Sequence, residues 1–158
     1  MNYYSKLGFD FSNDTFEKLT VEFISEYYKR FNECKLFDKA EEVLKKIRDM
    51  GISQSILSAS KEDVLIEKIK YYGIEKYFCR IIGLSNHYAE GKIKRGKNWI
   101  AELNLSPQEV LLIGEITHDY EVSKHIGSDC LLVANGHHSY EKLVGLGIGV
   151  IRTLKEIN

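Results

Sequence analysis

The spacing of hydrophobic residues in the first third of the chain predicts two amphipathic helices. Between Asp14 and Asn32, apolar and aromatic residues recur at steps of three and four, the repeat of a helix with one buried face. Asp38 opens a second stretch of this kind, and Gly51 follows its last apolar position, where a glycine commonly ends a helix. We therefore expect two helices ahead of the first strand.

From residue 52 onward, short apolar runs alternate with helical stretches. The predicted strands cover residues 52–57, 79–84, 110–113 and 130–134, and the predicted helices between them cover residues 61–72, 94–103 and 119–125. Short strands that are apolar on both faces and separated by helices are typical of a parallel sheet with helices on both sides. The sequence therefore predicts an α/β fold of the doubly wound type, in which ligands bind beyond the carboxyl ends of the strands.

Three of the predicted strands are followed directly by polar residues. Ser58 follows the first strand, Glu115 follows the third, and the pair Asn135-Gly136 follows the fourth. Each residue taken alone has a simpler interpretation, because a serine after a strand is more often a helix cap than a ligand contact. An acidic residue there is likewise favoured by the positive end of the next helix. Their order along the chain is what makes a functional site the preferred interpretation.

Three segments, ILSAS, YAEGKIKRGK and GEITHD, occur in this order, and each lies at a predicted strand end or helix start. They resemble the second, third and fourth motifs of the HAD (haloacid dehalogenase-like) superfamily, in its phosphoglycolate-phosphatase-like branch. The loop NGHHS is similar to an asparagine-glycine-histidine sequence of the same branch. The resemblance covers about residues 36 to 158. It implies a HAD-type Rossmann-like parallel sheet with flanking helices.

The resemblance also implies roles for individual residues. Ser58, Lys92 and Asp119 would be catalytic, and Ser58, Ala59 and Lys92 would bind phosphate. Glu115 and Asp119 would hold Mg²⁺, which prefers carboxylate oxygens. Phosphoryl transfer needs positive charge around a dispersed negative transition state, and a lysine and a metal ion supply it. Glu115 stands where the family usually has aspartate, and its extra methylene indicates a relaxed metal site.

The first motif of the family, which carries the nucleophilic aspartate, has only a poor match. Asp10 is the sole candidate, and Ser12 takes the place of the second aspartate. Residues 1–33 instead resemble the end of a helical cap, so we expect a cap remnant there and an incomplete core over residues 34–158 whose first, central strand is missing. The two sheet edges beside the missing strand would then close on each other, or be filled by the N-terminal segment or by a second copy through strand swapping.

Three functions remain open at this point. The preferred one is a phosphatase-like protein that is impaired or inactive alone, because loss of a covalent nucleophile costs orders of magnitude in rate. The second is an active magnesium-dependent hydrolase of small phosphate monoesters, which would use Asp10 or a strand supplied by a partner. The third is a non-catalytic protein-interaction module that recruits a partner through its sheet edges or its aromatic first helix.

Composition limits the partners and the compartment. Lys and Arg total 22 against 23 Asp and Glu, which gives no electrostatic reason to expect a nucleic-acid or membrane partner. Cys34, Cys79 and Cys130 are odd in number and lack CxxC spacing, which favours reduced thiols in the cytoplasm. No apolar run approaches the roughly 20 residues that span a bilayer. We expect a cytoplasmic protein whose partners are a small phosphorylated molecule and, through edge pairing, a second copy of itself.

Overall fold

The computed structural model describes residues 8, 15–30, 33–84 and 90–157, which fall into two compact units, residues 1–36 and 37–158. The first unit contains helix α1, Phe16–Arg30, where the sequence predicts a helix. Leu19 on this helix is buried, whereas Val21 and Phe23 are exposed. The predicted separation of a cap remnant, residues 1–33, from an incomplete core stays a prediction. No described helix is long and apolar enough to cross a membrane.

The second unit is an alternation of helices with short strands. In chain order it contains α2 (Ala40–Asp49), β1 (Ser55–Lys61), α3 (Glu62–Tyr71), β2 (Arg80–Leu84), α4 (Glu90–Glu102), β3 (Leu111–Gly114), α5 (Thr117–Ile126), β4 (Asp129–Val133), α6 (Tyr140–Val144) and β5 (Gly149–Ile151). The predicted α/β fold with parallel strands and flanking helices is confirmed. Helix α6 and strand β5 were not predicted. Strand β1 begins three residues and ends four residues later than the predicted strand, residues 52–57.

The strands of the described residues form two parallel sheets. β1 pairs with β2, and β3, β4 and β5 form a second sheet in that order. Within the described residues, the edge of β1 away from β2 and the edge of β3 away from β4 have no strand partner. The predicted sheet is therefore divided between β1 and β3, the two strands that end in the candidate residues Ser58 and Glu115.

Helices α4 and α5 hold the two sheets together. Ile100, Val122 and Ile126 form a buried cluster against which side chains of both sheets pack. Gly96 of α4 allows the close approach, because a Cβ at this position would lie 2.6 Å from Ile126 Cδ1 and 3.0 Å from Leu57 Cδ2. Burial of these apolar side chains fixes α4 against β1 and against α5 at once.

A polar contact fixes the same helix to the end of β2. Glu62 Oε2, at the start of α3, accepts hydrogen bonds from Gly83 N at 3.0 Å and from Arg95 Nη1 at 2.9 Å. Arg95 also donates to the carbonyl of Gly83 at 2.6 Å. A Cβ on Gly83 would lie 2.4 Å from Glu62 Cα, so only glycine fits there. Arg95 thereby positions the first turn of α4, which carries Lys92.

Candidate functional site

A cavity of about 510 Å³ lies between β1 and β3 in the second unit. Its walls include Ser55–Ser58 of β1 and Leu111–Gly114 of β3. Four of the predicted site residues line it: Ser58, Lys92, Glu115 and Asp119. The structure therefore brings together residues that are separated by up to 61 positions in the chain, 58 to 119.

The two strands that form the cavity run in the same direction. Trp99 Nε1, near the end of α4, donates a hydrogen bond to Ser55 Oγ at the start of β1, at 2.9 Å. Lys92 is seven residues earlier on the same helix, about 10 Å away at 1.5 Å per residue. It contacts Asp119, which follows the end of β3. The start of β1 and the end of β3 are thus at opposite ends of α4. The polar residues of the site therefore lie at the shared carboxyl-terminal edge of the strands.

Lys92 and Asp119 form a buried ion pair at this edge. Lys92 Nζ lies 2.7 Å from Asp119 Oδ1, and the two side chains are only 10% and 11% exposed. Asp119 Oδ2 accepts hydrogen bonds from the backbone amides of Glu115 at 3.0 Å and Ile116 at 3.3 Å. Burial alone would raise the pKa of Asp119, but the Lys92 ammonium and the two amides outweigh burial and lower that pKa below its usual range. Asp119 is therefore an ionised carboxylate with both oxygens engaged.

A glycine makes this arrangement of Asp119 sterically feasible. A Cβ on Gly114, the last residue of β3, would lie 2.3 Å from Asp119 Cβ. The glycine lets the first turn of α5 fold back onto the strand end, so that Asp119 can cap its own helix and still reach Lys92. Gly114 is therefore required for packing, independently of any role of Glu115 in binding.

Ser58 lies in an irregular part of β1. The pairing with β2 is regular up to Leu57 and resumes only at Lys61. In between, Ser58 Oγ accepts a hydrogen bond from the amide of Ser60 at 3.1 Å, as in a serine turn. Because the hydroxyl accepts this bond, its own hydrogen can be donated to a ligand. Ala59 is exposed and does not line the cavity, so its predicted role in phosphate binding stays a prediction.

Glu115 contacts the loop that follows β4. Its Oε1 lies 3.3 Å from Nδ1 of His137, and a Cβ on Gly136 would lie 1.6 Å from its Oε2. The backbone amide of Thr117 donates to Nδ1 of His138 at 3.2 Å. The NGHHS segment therefore packs over the end of β3. The sequence resemblance predicts such a loop but does not indicate that it contacts Glu115.

Both carboxylates of the site, Asp119 and Glu115, have protein partners in this arrangement. Asp119 has one oxygen on Lys92 and the other on two amides, so a metal ion would first have to displace the ammonium group. Among the described residues no group of three histidine, cysteine or acidic side chains is placed to hold a metal. The metal-binding role predicted for Glu115 and Asp119 stays a prediction, and Asp10 lies outside the described residues.

Two contributors to this site gave little signal in the sequence. Arg95 looks like one of several solvated charges in a basic segment, yet it anchors α4 to Glu62 and Gly83. Trp99, the single tryptophan of the chain, lines the cavity at the opposite end from Lys92. Trp99 lies next to Ile100 in the predicted helix, but nothing in the sequence indicates that its side chain faces the site.

The sequence profile of the haloacid dehalogenase-like hydrolases matches residues 3–133. A candidate pyrophosphatase of Clostridium perfringens, PpaX, is 27% identical over 125 residues, which are 72% of this chain and 56% of that protein. The tyrosine-protein kinase PtkA of Mycobacterium tuberculosis is 25% identical over 103 residues, 65% of this chain and 35% of that protein. The chain thus spans between about a third and a little over half of the length of these curated relatives.

Solved structures share the fold at low sequence identity. PtkA of M. tuberculosis superposes with a TM-score of 0.78 at 21% identity, over 97% of this chain and 72% of that one. A predicted phosphoglycolate phosphatase of Haemophilus somnus superposes with a TM-score of 0.77 at 15% identity, over 91% of this chain and 65% of that one. A haloacid dehalogenase-like hydrolase of Streptococcus pneumoniae gives 0.75 at 15% identity, over 93% and 72%. These similarities establish the arrangement of strands and helices.

Proposed function

Since the chain belongs to the haloacid dehalogenase-like hydrolase family, we propose that it binds the phosphate group of a small phosphorylated molecule but, acting alone, hydrolyses phosphate esters slowly or not at all. The observation that carries this proposal is the position of Lys92, a buried cation that lines the same cavity as the Ser58 hydroxyl. Pairing with Asp119 accounts for the burial of this lysine, and its position in the cavity wall leaves it able to bind an anion as well.

Lys92 and Ser58 provide the binding half of the proposal. The ammonium group has three donors, of which Asp119 Oδ1 takes one, so others remain for phosphate oxygens. The Ser58 hydroxyl hydrogen is a further donor at the same edge. Low exposure strengthens these contacts relative to water, but Asp119 neutralises part of the positive charge. We therefore expect specific but weak binding of phosphate.

The carboxylates of the cavity support the catalytic half. Covalent phosphoryl transfer by a carboxylate needs an oxygen that is not already committed to other groups. Among the described residues that line the cavity, the carboxylates are Glu115 and Asp119. Asp119 accepts three hydrogen bonds, and Glu115 is oriented toward His137. Neither is on a strand between β1 and β3, so neither is placed as an attacking group in the middle of the cavity.

Isothermal titration with inorganic phosphate at low ionic strength tests the binding half. The unmodified chain should bind phosphate, and Ser58→Ala and Lys92→Met should each weaken that binding. Lys94→Met is the matched control, because Lys94 is an exposed lysine on the same helix, and it should leave binding unchanged. Equal affinity in all four proteins would show that phosphate does not use this cavity.

An assay with p-nitrophenyl phosphate and millimolar magnesium tests the catalytic half. We expect turnover indistinguishable from a blank for the chain alone. Asp10→Asn is the decisive variant, because it removes the only candidate for a first-motif nucleophile in the sequence. Turnover by the chain that disappears in Asp10→Asn would establish the alternative, an active magnesium-dependent hydrolase of small phosphate monoesters.

A further inference from the structure

His138 lies between two hydrogen-bond donors in the loop that follows β4. The backbone amide of Thr117, the first residue of α5, donates to its Nδ1 at 3.2 Å. On the other side of the ring, Nε2 lies 3.0 Å from Nζ of Lys142, which belongs to α6. A neutral imidazole has one nitrogen that donates and one that accepts. It can therefore accept a hydrogen from the amide or from the ammonium group, but not from both.

The amide of Thr117 decides which ring nitrogen carries the proton. The direction of an amide hydrogen is fixed by the backbone, so a proton on Nδ1 would point at the hydrogen of Thr117. Neutral His138 is therefore protonated on Nε2, which becomes a donor. The Lys142 ammonium group is also a donor and has no lone pair to accept with. Two donors thus face each other 3.0 Å apart, and this contact satisfies neither of them.

The protein supplies no acceptor for this pair within the part of the chain that the structure describes. Lys142 is exposed and forms no ion pair with a carboxylate of the described residues. The pair is also distinct from the proposed phosphate site, because neither His138 nor Lys142 lines the cavity that contains Lys92 and Ser58. An acceptor from outside the chain is therefore the group that would complete the hydrogen bonds of both nitrogens.

We propose that His138 and Lys142 bind the carboxylate group of a small molecule. One carboxylate oxygen would accept the Nε2 hydrogen of His138 and the other a hydrogen of Lys142, so that one anion satisfies both donors. Lys142 supplies a single positive charge, and the Glu115 carboxylate already lies 3.3 Å from the adjacent His137. A singly charged carboxylate therefore fits this site better than a doubly charged phosphate.

Nitrogen-15 NMR of the histidine rings tests the proposal on the intact chain. The method distinguishes protonated from unprotonated ring nitrogens, and His138→Gln identifies the His138 signals among those of the five histidines. At about pH 8, where a free imidazole is neutral, we expect a proton on Nε2 of His138 and none on Nδ1. Sodium acetate should shift the Nε2 signal saturably, whereas sodium chloride at the same ionic strength should not.

Lys142→Met tests the contribution of the ammonium group. It should weaken acetate binding about tenfold or more, because the charge-assisted hydrogen bond is lost. Lys94→Met is the matched control, since Lys94 is an exposed lysine on α4, and it should leave acetate binding unchanged. Circular dichroism verifies that both variants fold.

Thr117→Pro tests the role of the amide. Proline is favoured at the first position of a helix, and Ile116 before it already has an extended backbone, with φ −129° and ψ 162°. Without the amide hydrogen, more of the His138 proton should be found on Nδ1, Nε2 should accept from Lys142, and acetate should bind more weakly. If the proline variant does not fold, the acetate titrations of the unmodified chain and of Lys142→Met still decide the question.

Three results would overturn the proposal. The first is a proton on Nδ1 of His138 in the unmodified chain, because Nε2 would then accept from Lys142 and no ligand would be needed. The second is a response to acetate that chloride reproduces or that Lys142→Met leaves unchanged. The third is tighter binding of inorganic phosphate than of acetate, which would assign the pair to a doubly charged anion. None of these measurements depends on Lys92 or Ser58, so failure of the proposed function would leave the test intact.

Discussion

Replacing Lys92 by methionine removes the cation of the buried ion pair while keeping most of the side-chain volume. Asp119 would then be a carboxylate with an 11% exposed side chain and only two backbone amides as partners. Removal of one partner from a buried pair costs about 3–5 kcal/mol. Because the amide bonds of Asp119 remain, we expect a loss of about 3 kcal/mol at neutral pH, at the lower end of that range. This corresponds to a fall in Tm of roughly 6–12 °C for a chain of this length.

The pH dependence of this loss identifies its cause. In the unmodified chain the pKa of Asp119 is lowered, so the carboxylate contributes stability above its unfolded pKa of about 4 and loses it as the pH falls through the folded pKa. In Lys92→Met the burial of Asp119 is no longer outweighed by the ammonium group, and its pKa rises. The difference in stability between the two proteins should therefore shrink as the pH falls toward about 4.

Urea unfolding followed by far-UV circular dichroism, at neutral pH and near pH 4, measures this difference. The double variant Lys92→Met with Asp119→Asn should recover most of the lost stability, because it leaves no unpaired charge. Lys94→Met on the same helix serves as the control and should unfold like the unmodified chain. A cost below about 1 kcal/mol at neutral pH, or an equal cost at both pH values, would refute the reasoning about the ion pair.

Three further predictions follow from the geometry. Gly83→Ala should lower stability by about 1–3 kcal/mol in a urea titration, because its Cβ would lie 2.4 Å from Glu62 Cα; Gly136→Ala should cost less, since the 1.6 Å contact is with the flexible end of Glu115. Ellman's reagent should label the two exposed cysteines quickly and Cys130 slowly, because burial raises the pKa of its thiol; three equal rates would contradict this. Millimolar magnesium should leave the Tm of the unmodified chain unchanged. It should raise the Tm of the Lys92→Met variant, because the substitution frees Asp119 Oδ1 to bind the metal.

Hydrophobic periodicity carried most of the information about the fold. The helix that ends before Gly73 was predicted from the glycine after the last apolar position, and Gly73 has the positive φ of 67° that favours glycine. Strand β5, Gly149–Ile151, is only three residues long, too short for any pattern to stand out. The late end of β1 was missed because the irregular segment after Leu57 has no hydrophobic alternation.

The sequence predicted which residues lie together but not how they contact one another, and their roles stay predictions. Resemblance to three family motifs, in the family's order and at strand ends or helix starts, predicted that Ser58, Lys92 and Asp119 lie together, and the structure brings all three to one cavity. The pairing of Lys92 with Asp119 depends on the distance between α4 and α5, which Gly96 sets through contacts with other elements. Such tertiary distances leave no periodic signal in the sequence, so the contact between Lys92 and Asp119 emerged only from the structure.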